Sequence, residues 1–300
     1  MNRLSVAAGA MIFASLAADA RLHGQTPPSP ADDPPFRLPS SVQVISDLVY
    51  DEVDGRVLKL DLFMSRVPTG DCPGLVFINN GGFIYSVRKW TWRQAARMAE
   101  LGFVSVTIET RLAPASHYPA PLNDAQAAVR WLRSHGSQYR VDTSKIGVVG
   151  VSSGGYVAAA LGTNLWSGRD WSGAPPNVRV QAVVAFNPNV DFPPLAVIPT
   201  GDNVETFLGR SFARDSSAWR DASVVSHVSR QAAPFLLLHG TADQVVPYSQ
   251  SADMVQRLQR VSVRADLFTA DGAAHGFASR PPWYAPTLAR MEKFLLEVLK

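Results

Sequence analysis

The 300-residue chain has a single cysteine, Cys72. One thiol excludes an internal disulfide, and a chain of this length buries enough core to do without one. Cys72 stands in the turn-like run Gly70-Asp71-Cys72-Pro73-Gly74 with no second ligand at metal-binding spacing, so it is read as structural and no metal is expected. Clustered cations are also missing. The formal net charge is +3 and no Lys/Arg block is longer than Arg88-Lys89. Phosphate backbones are bound by clustered cations, so no nucleic-acid partner is expected. The sequence has no internal repeats, and its one biased segment is rich in proline.

That segment follows an N-terminal piece with its own character. Met1-Asn2-Arg3 is a short cationic start, Leu4 to Ala18 carries no charge, and Ala18-Asp19-Ala20 offers small residues at signal-peptidase spacing. Fifteen uncharged residues fall short of the ~20 that a membrane-spanning helix needs. Residues 1–20 therefore read as a signal peptide rather than a stable membrane anchor, and the protein is expected to be exported, periplasmic or secreted. Residues 21–41 hold Pro27, Pro28, Pro30, Pro34, Pro35 and Pro39 and read as an extended leader. The folded domain is expected over residues 42–300.

Within it, short apolar runs alternate with helix-length amphipathic runs. Val42 to Tyr50 and Arg56 to Met64 predict two strands joined at Asp54-Gly55, a hairpin signal. Leu75 to Asn79, Phe103 to Ile108, Ile146 to Val151, Val180 to Phe186, Phe235 to His239 and Ala265 to Phe268 are nearly continuous in apolarity, as in parallel strands covered on both faces. Helix patterns over Trp90 to Leu101, Pro121 to His135, Tyr248 to Arg260 and Ala285 to Lys300 lie between and after them. Strands alternating with helices make a three-layer α/β domain with a mostly parallel sheet. Residues 187–233, with four prolines and only short helical possibilities around Asn203 to Gly209 and Ser216 to Val225, read as a small lid-like or binding insertion.

Chemistry concentrates at Gly150-Val151-Ser152-Ser153-Gly154, which matches G-x-S-x-G only with Ser152 at its centre. A strand precedes it and a small-residue helix follows, so Ser152 falls on the strand-to-helix corner of a nucleophile elbow. A serine hydroxyl needs a base to take its proton. Of the six histidines, His275 lies in the glycine-bounded loop Asp271 to Phe277 between the last strand and the last helix, where an α/β-hydrolase keeps its base. His23 belongs to the leader, His135 to a helix end and His239 to a buried strand end. The orienting carboxylate is Asp243, just past the strand that ends in His239-Gly240, with Asp266 and Asp271 as second choices. The order Ser152, Asp243, His275 is that of α/β-hydrolases. For the oxyanion hole, Gly81 and Gly82 follow the strand Leu75 to Ile78, and the backbone N–H of Ser153 completes the set. On this reading the Ser153 N–H carries its role and its hydroxyl is dispensable.

With strand, loop, elbow, acid and base in order, the chain resembles α/β-hydrolase esterases of the hormone-sensitive-lipase and feruloyl/acetyl-xylan-esterase-like groups over roughly residues 42–300. The resemblance rests on Asn79 to Phe83 where the family has H-G-G-G-F/W, on Arg111-Leu112-Ala113-Pro114 with Tyr118-Pro119-Ala120-Pro121 downstream, on Gly150 to Gly155, on His239 to Asp243 and on Gly272 to Phe277. It implies the α/β-hydrolase fold and a serine carboxylic-ester hydrolase that needs no cofactor and works as a monomer or homodimer. The implied substrates are small-molecule or oligosaccharide esters, such as acetyl or feruloyl esters of carbohydrates. Phe83, Tyr85 and Tyr156, with Phe192, Phe207 and Trp219 of the insertion, would line the substrate pocket. Asn79 and Asn80 depart from the family's His and first Gly, which bears on rate and preference. A prolyl-oligopeptidase-like peptidase is the competing enzymatic reading, because Ser152 to Tyr156 also reads S-x-G-G-Y, although 300 residues leave no length for the propeller domain of those enzymes. A catalytically silent hydrolase fold that only binds is the reading from another class.

Overall fold

In the computed structural model, residues 36–68, 70–165, 178–197 and 201–300 are described. The chain divides into two units, Met1–Arg37 and Leu38–Lys300, and the second holds all the strands and helices named below. The signal-peptide reading of residues 1–20 and most of the proline-rich leader lie outside the described residues. Among those described, no helix is long and apolar enough to cross a membrane.

The strands are β1 (Val42–Val53), β2 (Arg56–Ser65), β3 (Cys72–Gly81), β4 (Tyr85–Ser86), β5 (Val104–Ile108), β6 (Val141–Ser152), β7 (Ala182–Phe186), β8 (Phe235–Gly240) and β9 (Ala265–Ala270). They form one sheet in the order β1-β2-β5-β3-β6-β7-β8-β9, with the two-residue β4 paired to β3. The β1–β2 hairpin turns at Asp54-Gly55, both at positive φ (52° and 74°), and pairs antiparallel to β5. From β5 to β9 every neighbour is parallel. Central strands of such a sheet are buried on both sides, which is why β5, β7 and β8 read as unbroken apolar runs. This is the α/β-hydrolase fold.

Helices cover both faces. Ala120–Ser134 begins with Pro121 in its first turn, where the missing N–H costs nothing, and buries Leu122, Ala125, Val129 and Leu132 as one stripe. It packs against the helix Ser153–Gly162, whose residues are all buried. Trp92–Glu100 lies on β2 and β5 and is tied to the C-terminal helix Tyr284–Leu299 by an Arg97–Glu292 ion pair at 2.8 Å. Gly102, at φ 79°, stops the first of these as expected.

Two expectations are adjusted. Cys72 does not sit in a turn but opens β3, half-buried, because its N–H bonds the Arg140 carbonyl beside the start of β6. The 187–233 segment is more ordered than its prolines imply. Its described part contains helices Gly201–Leu208 and Ser216–Ala222 and buries Phe192, Leu195, Val204, Phe207 and Trp219 in the main core. Gln250 anchors it: Oε1 accepts from the Val190 and Asp191 N–H groups, and Nε2 donates to the Asp191 carbonyl.

Candidate active site

Register in the sheet sets the site. β3 and β6 run parallel with Asn79 opposite Val151 and Asn80 opposite Ser152, so the oxyanion turn and the nucleophile leave neighbouring strands at one level. Ser152 ends β6 at φ 55°, ψ −122°, a conformation that strains any residue with a side chain. Gly150 makes the sharp corner possible. A Cβ there would lie 2.1 Å from the Gly154 carbonyl oxygen, inside the first turn of the following helix. A Cβ at Gly155 would meet Pro188 at 3.0 Å and the Phe186 carbonyl at 3.2 Å, so that glycine lets the helix approach the end of β7.

Ser152, His275 and Asp243 come together. Ser152 Oγ lies 3.0 Å from His275 Nε2, and His275 Nδ1 lies 2.7 Å from Asp243 Oδ2. A carboxylate only accepts, so Nδ1 carries the imidazole proton and Nε2 is free to take the one on Ser152. The acid and base loops are bonded to each other: Ala242 N–H donates to the Ala273 carbonyl, Thr241 N–H to that of Ala270, and Thr241 Oγ1 to Asp271. A Cβ at Gly240 would strike the Ala273 carbonyl oxygen at 2.2 Å, so only glycine allows this approach. The second-choice acids are engaged elsewhere, Asp271 with Thr241 and Asp266 with Arg264 and Arg290.

Asp243 is fully buried and fully bonded. Oδ1 accepts from Val245 and Val246 N–H at 2.8 Å each, and Oδ2 receives His239 Nε2 at 3.2 Å as well as His275. Burial alone would raise this carboxyl. The bonds from His239 and His275, attraction to His275 and the Val246 N–H outweigh it and hold Asp243 well below the usual carboxylate range. His239 was expected only to close a strand. Its Nε2–H faces two acceptors, the Asp243 carboxylate and the Val246 carbonyl, so Nδ1 must accept from Ser251 Oγ, 2.7 Å away. A second imidazole thus orients the acid from behind. Its signal was a polar residue within the apolar run Phe235 to Leu238, four residues before the aspartate. Asn187 is the other residue that sequence reasoning missed. At φ 38° just past β7, it holds Nδ2 3.3 Å from His275 Nε2. A polar side chain at the carboxyl end of a buried parallel strand was the available clue.

The other described histidines are occupied elsewhere: His117, His135 and His227 each hold a ring nitrogen against a backbone carbonyl, of Thr206, Trp131 and Asp221 respectively.

The oxyanion turn lies against the elbow. Gly82 and Phe83 both have positive φ (53° and 65°), and Ile84 N–H closes the turn onto the Gly81 carbonyl. A Cβ at Gly81 would overlap the Tyr85 ring at 1.7 Å and force that side chain to move, and Gly82 is glycine because its φ of 53° disfavours any side chain there, where a Cβ would also meet Asn203 Nδ2 at 2.9 Å. Phe83 bonds at both ends of its backbone. Its N–H donates to Ser153 Oγ at 3.1 Å, and its carbonyl accepts from Ala113 N–H at 3.1 Å. The Arg111-Leu112-Ala113-Pro114 segment thereby has a mechanical reading. Arg111 is fixed by Asp124, fully buried, through Nε at 2.9 Å and Nη2 at 2.8 Å, and Ala113 two residues on holds the oxyanion turn.

The expected pocket aromatics divide. Phe83 and Tyr156 are 1% and 0% exposed, and they pack with Phe192 and Phe207 into one cluster, Phe83 stacked on Phe207 at 4.1 Å. Such large apolar rings gain more from contact with each other than from lining open space, so Phe83 and Tyr156 are core residues rather than pocket walls. Trp219 is likewise buried, its indole N–H on the Arg210 carbonyl. Tyr85 is partly exposed, beside the exposed Trp90 at 5.5 Å. Among the described residues no cluster of three or more metal-ligating side chains occurs.

Comparison with known proteins points to esterases. The BD-FAE family model matches residues 60–258. Esterase LipC of Mycobacterium tuberculosis is 29% identical over 227 residues, 73% of this chain and 56% of that protein. The probable carboxylic ester hydrolase LipM of the same organism is 30% identical over 268 residues, 84% of this chain and 61% of that protein. The chain thus spans little more than half the length of these relatives. Among solved structures, Thermogutta terrifontis esterase 2 phosphonylated by sarin superposes with a TM-score of 0.74 at 23% identity, covering 88% of this chain and 96% of that one. The chain belongs to the BD-FAE family, a family of hormone-sensitive-lipase-like esterases.

Proposed function

We propose that the protein is a serine carboxylic-ester hydrolase acting through an acyl-enzyme on acetyl or feruloyl esters of carbohydrates or on other short-chain esters. The observation that carries this reading is the continuous chain from Ser152 Oγ to His275 (3.0 Å) to Asp243 (2.7 Å) on a strained strand-to-helix corner. Ser152 Oγ forms a bond to the ester carbonyl carbon as its proton passes to His275 Nε2. Negative charge collects on the carbonyl oxygen, where the N–H groups of Gly81, Gly82 and Ser153 stabilise it. The tetrahedral species breaks its bond to the alcohol oxygen, which leaves with the proton from His275. Water then repeats the sequence on the acyl-enzyme and releases the acid. Asp243, held ionised by its surroundings, stabilises the imidazolium in both halves.

Short acyl groups are favoured because Phe83, Tyr156, Phe192 and Phe207 fill the space beneath the oxyanion turn themselves. The carbohydrate side of the reading rests on the family and on the partly exposed Tyr85 with the exposed Trp90 beside the turn. Thermogutta esterase 2 is described as phosphonylated, which recommends an organophosphorus probe. A fluorophosphonate is expected to label Ser152, and Ser152→Ala to remove labelling and hydrolysis by several orders of magnitude with the fold intact. Rates across p-nitrophenyl acetate to decanoate, methyl ferulate and acetylated xylan should be highest at short acyl length. Faster turnover of a prolyl-peptide anilide would reverse the reading in favour of a peptidase.

A further inference from the structure

We propose that the Ser153 hydroxyl, expected from the sequence to be dispensable, is a positioning group for the oxyanion turn, separate in its effect from the Ser153 backbone N–H. The inference rests on the acyl-transfer reading of the site. Ser153 is 0% exposed, and its Oγ accepts the Phe83 N–H at 3.1 Å. Two consecutive positive φ values, 53° at Gly82 and 65° at Phe83, put this backbone where an L-residue is disfavoured, so surrounding contacts must hold it. Three do. The Phe83 ring is stacked on Phe207, the Phe83 carbonyl is held by Ala113 N–H, and the Phe83 N–H is held by Ser153.

The third contact differs in kind from the others. The ring and the carbonyl tie Phe83 to the core and to the Arg111–Pro114 segment. The N–H ties it to the residue that follows the nucleophile. Ser153 thereby holds one oxyanion donor through its backbone and fixes the other two, Gly81 and Gly82, through its side chain. The hydroxyl sets the distance between the two halves of the hole. Alanine at 153 keeps the backbone donor and leaves the Phe83 N–H without its acceptor, freeing the turn to shift while Ser152, His275 and Asp243 keep their bonds. Such a shift weakens binding of the tetrahedral oxyanion and leaves ground-state ester binding almost unchanged.

The test compares wild type, Ser153→Ala and Ser153→Cys, the last with a weakly accepting thiol of similar size. The measurements are kcat and KM for p-nitrophenyl acetate and Ki for a short alkyl trifluoromethyl ketone, whose serine hemiketal places an oxyanion in the hole. For Ser153→Ala, kcat is expected to fall roughly 10- to 30-fold, less than the ~100-fold or more of deleting a donor. KM stays within about 2-fold and Ki rises by the same factor as kcat falls, as expected when the interaction exists only in the transition state. Ser153→Cys lies between the two in both readouts. Thr163→Ala, which removes a buried hydroxyl at the far end of the same helix, controls for lost stability and keeps wild-type kcat and Ki. Unchanged kcat and Ki in Ser153→Ala overturn the inference, as does a fall in kcat with no matching rise in Ki. Where the alanine variant does not fold, a Ki in Ser153→Cys equal to wild type overturns it. Wild-type protein that neither turns over the ester nor binds the ketone overturns the proposed function itself, which separates the two failures.

Discussion

Replacing Gly150 by alanine adds one methyl group to a strand residue that touches no substrate, yet it is expected to cripple the enzyme. The new Cβ would lie 2.1 Å from the Gly154 carbonyl oxygen, 2.5 Å from its carbon and 2.8 Å from the Gly155 nitrogen. All three are backbone atoms, so no rotamer change relieves the contact. Reaching 3.0 Å from the oxygen requires β6 and the following helix to separate by about 0.9 Å, and Ser152 is the residue between them. A misplacement near 1 Å of a positioned group lowers the rate about 100-fold, or about 2.7 kcal/mol in the barrier. The comparison is Gly147→Ala on the same strand. Its Cβ meets the methyl ends of Leu299 and Leu75 at 3.0 Å, atoms at the far ends of flexible side chains. The assay is kcat/KM for p-nitrophenyl acetate alongside the rate of fluorophosphonate labelling, with thermal melts confirming folded protein. Gly150→Ala should lose about 100-fold in both rates and Gly147→Ala only a few-fold. A folded Gly150→Ala enzyme within about 3-fold of wild type, or equal losses in the two variants, would refute the elbow argument.

Two further outcomes concern buried carboxylates. Asp243 is held below the ordinary carboxylate range, so it adds stability that is fully present above its unfolded value near ~3.9 and is lost as pH falls through the lower folded value. Asp243→Asn should therefore unfold at lower urea than wild type at pH 7, with a gap that narrows below pH ~4, and an equal gap at about pH 7 and about pH 3.5 would contradict this. Arg111→Ala leaves Asp124 buried without its guanidinium and should cost about 3–5 kcal/mol in chemical denaturation at neutral pH. Burial already raises the Asp124 carboxyl although Arg111 opposes it, and removing the guanidinium raises it further, so the loss grows as pH rises through the folded-state values, and a penalty larger at about pH 5 than at about pH 8 would overturn the assignment.

How far the sequence could be read depended on whether a feature is local. The buried strands β5, β7 and β8 announced themselves because continuous apolarity needs no partner to be seen, and their ends fell within a few residues of expectation. Ser152, Asp243 and His275 were legible because each sits at a strand end beside glycines, a pattern tied to chain geometry rather than to neighbours. Most of the contacts that sequence reading passed over join partners distant in the chain. The contact between Ser153 Oγ and Phe83 spans 70 positions, and that between Asn187 and His275 spans 88. His239 was read as a strand residue because nothing local says that the chain doubles back to set Asp243 against its ring. The aromatics failed differently. Phe83, Tyr156, Phe192 and Phe207 are equally suited to a pocket wall and to a core, and only their mutual contacts decide for the core.

The matched levels of Asn80 and Ser152 on β3 and β6 also bear on how the enzyme fails when heated. Loops on a periphery can melt first and switch off catalysis while the rest of a domain persists. Here the nucleophile and the oxyanion turn grow from the two middle strands, flanked by β5 on one side and by β7, β8 and β9 on the other. The amides of β6 leading up to Ser152 then belong with the slowest to exchange with solvent, whereas the acid and base follow β8 and the edge strand β9, so heat is expected to stop turnover by loosening Asp243 and His275 before the nucleophile's own strand comes apart.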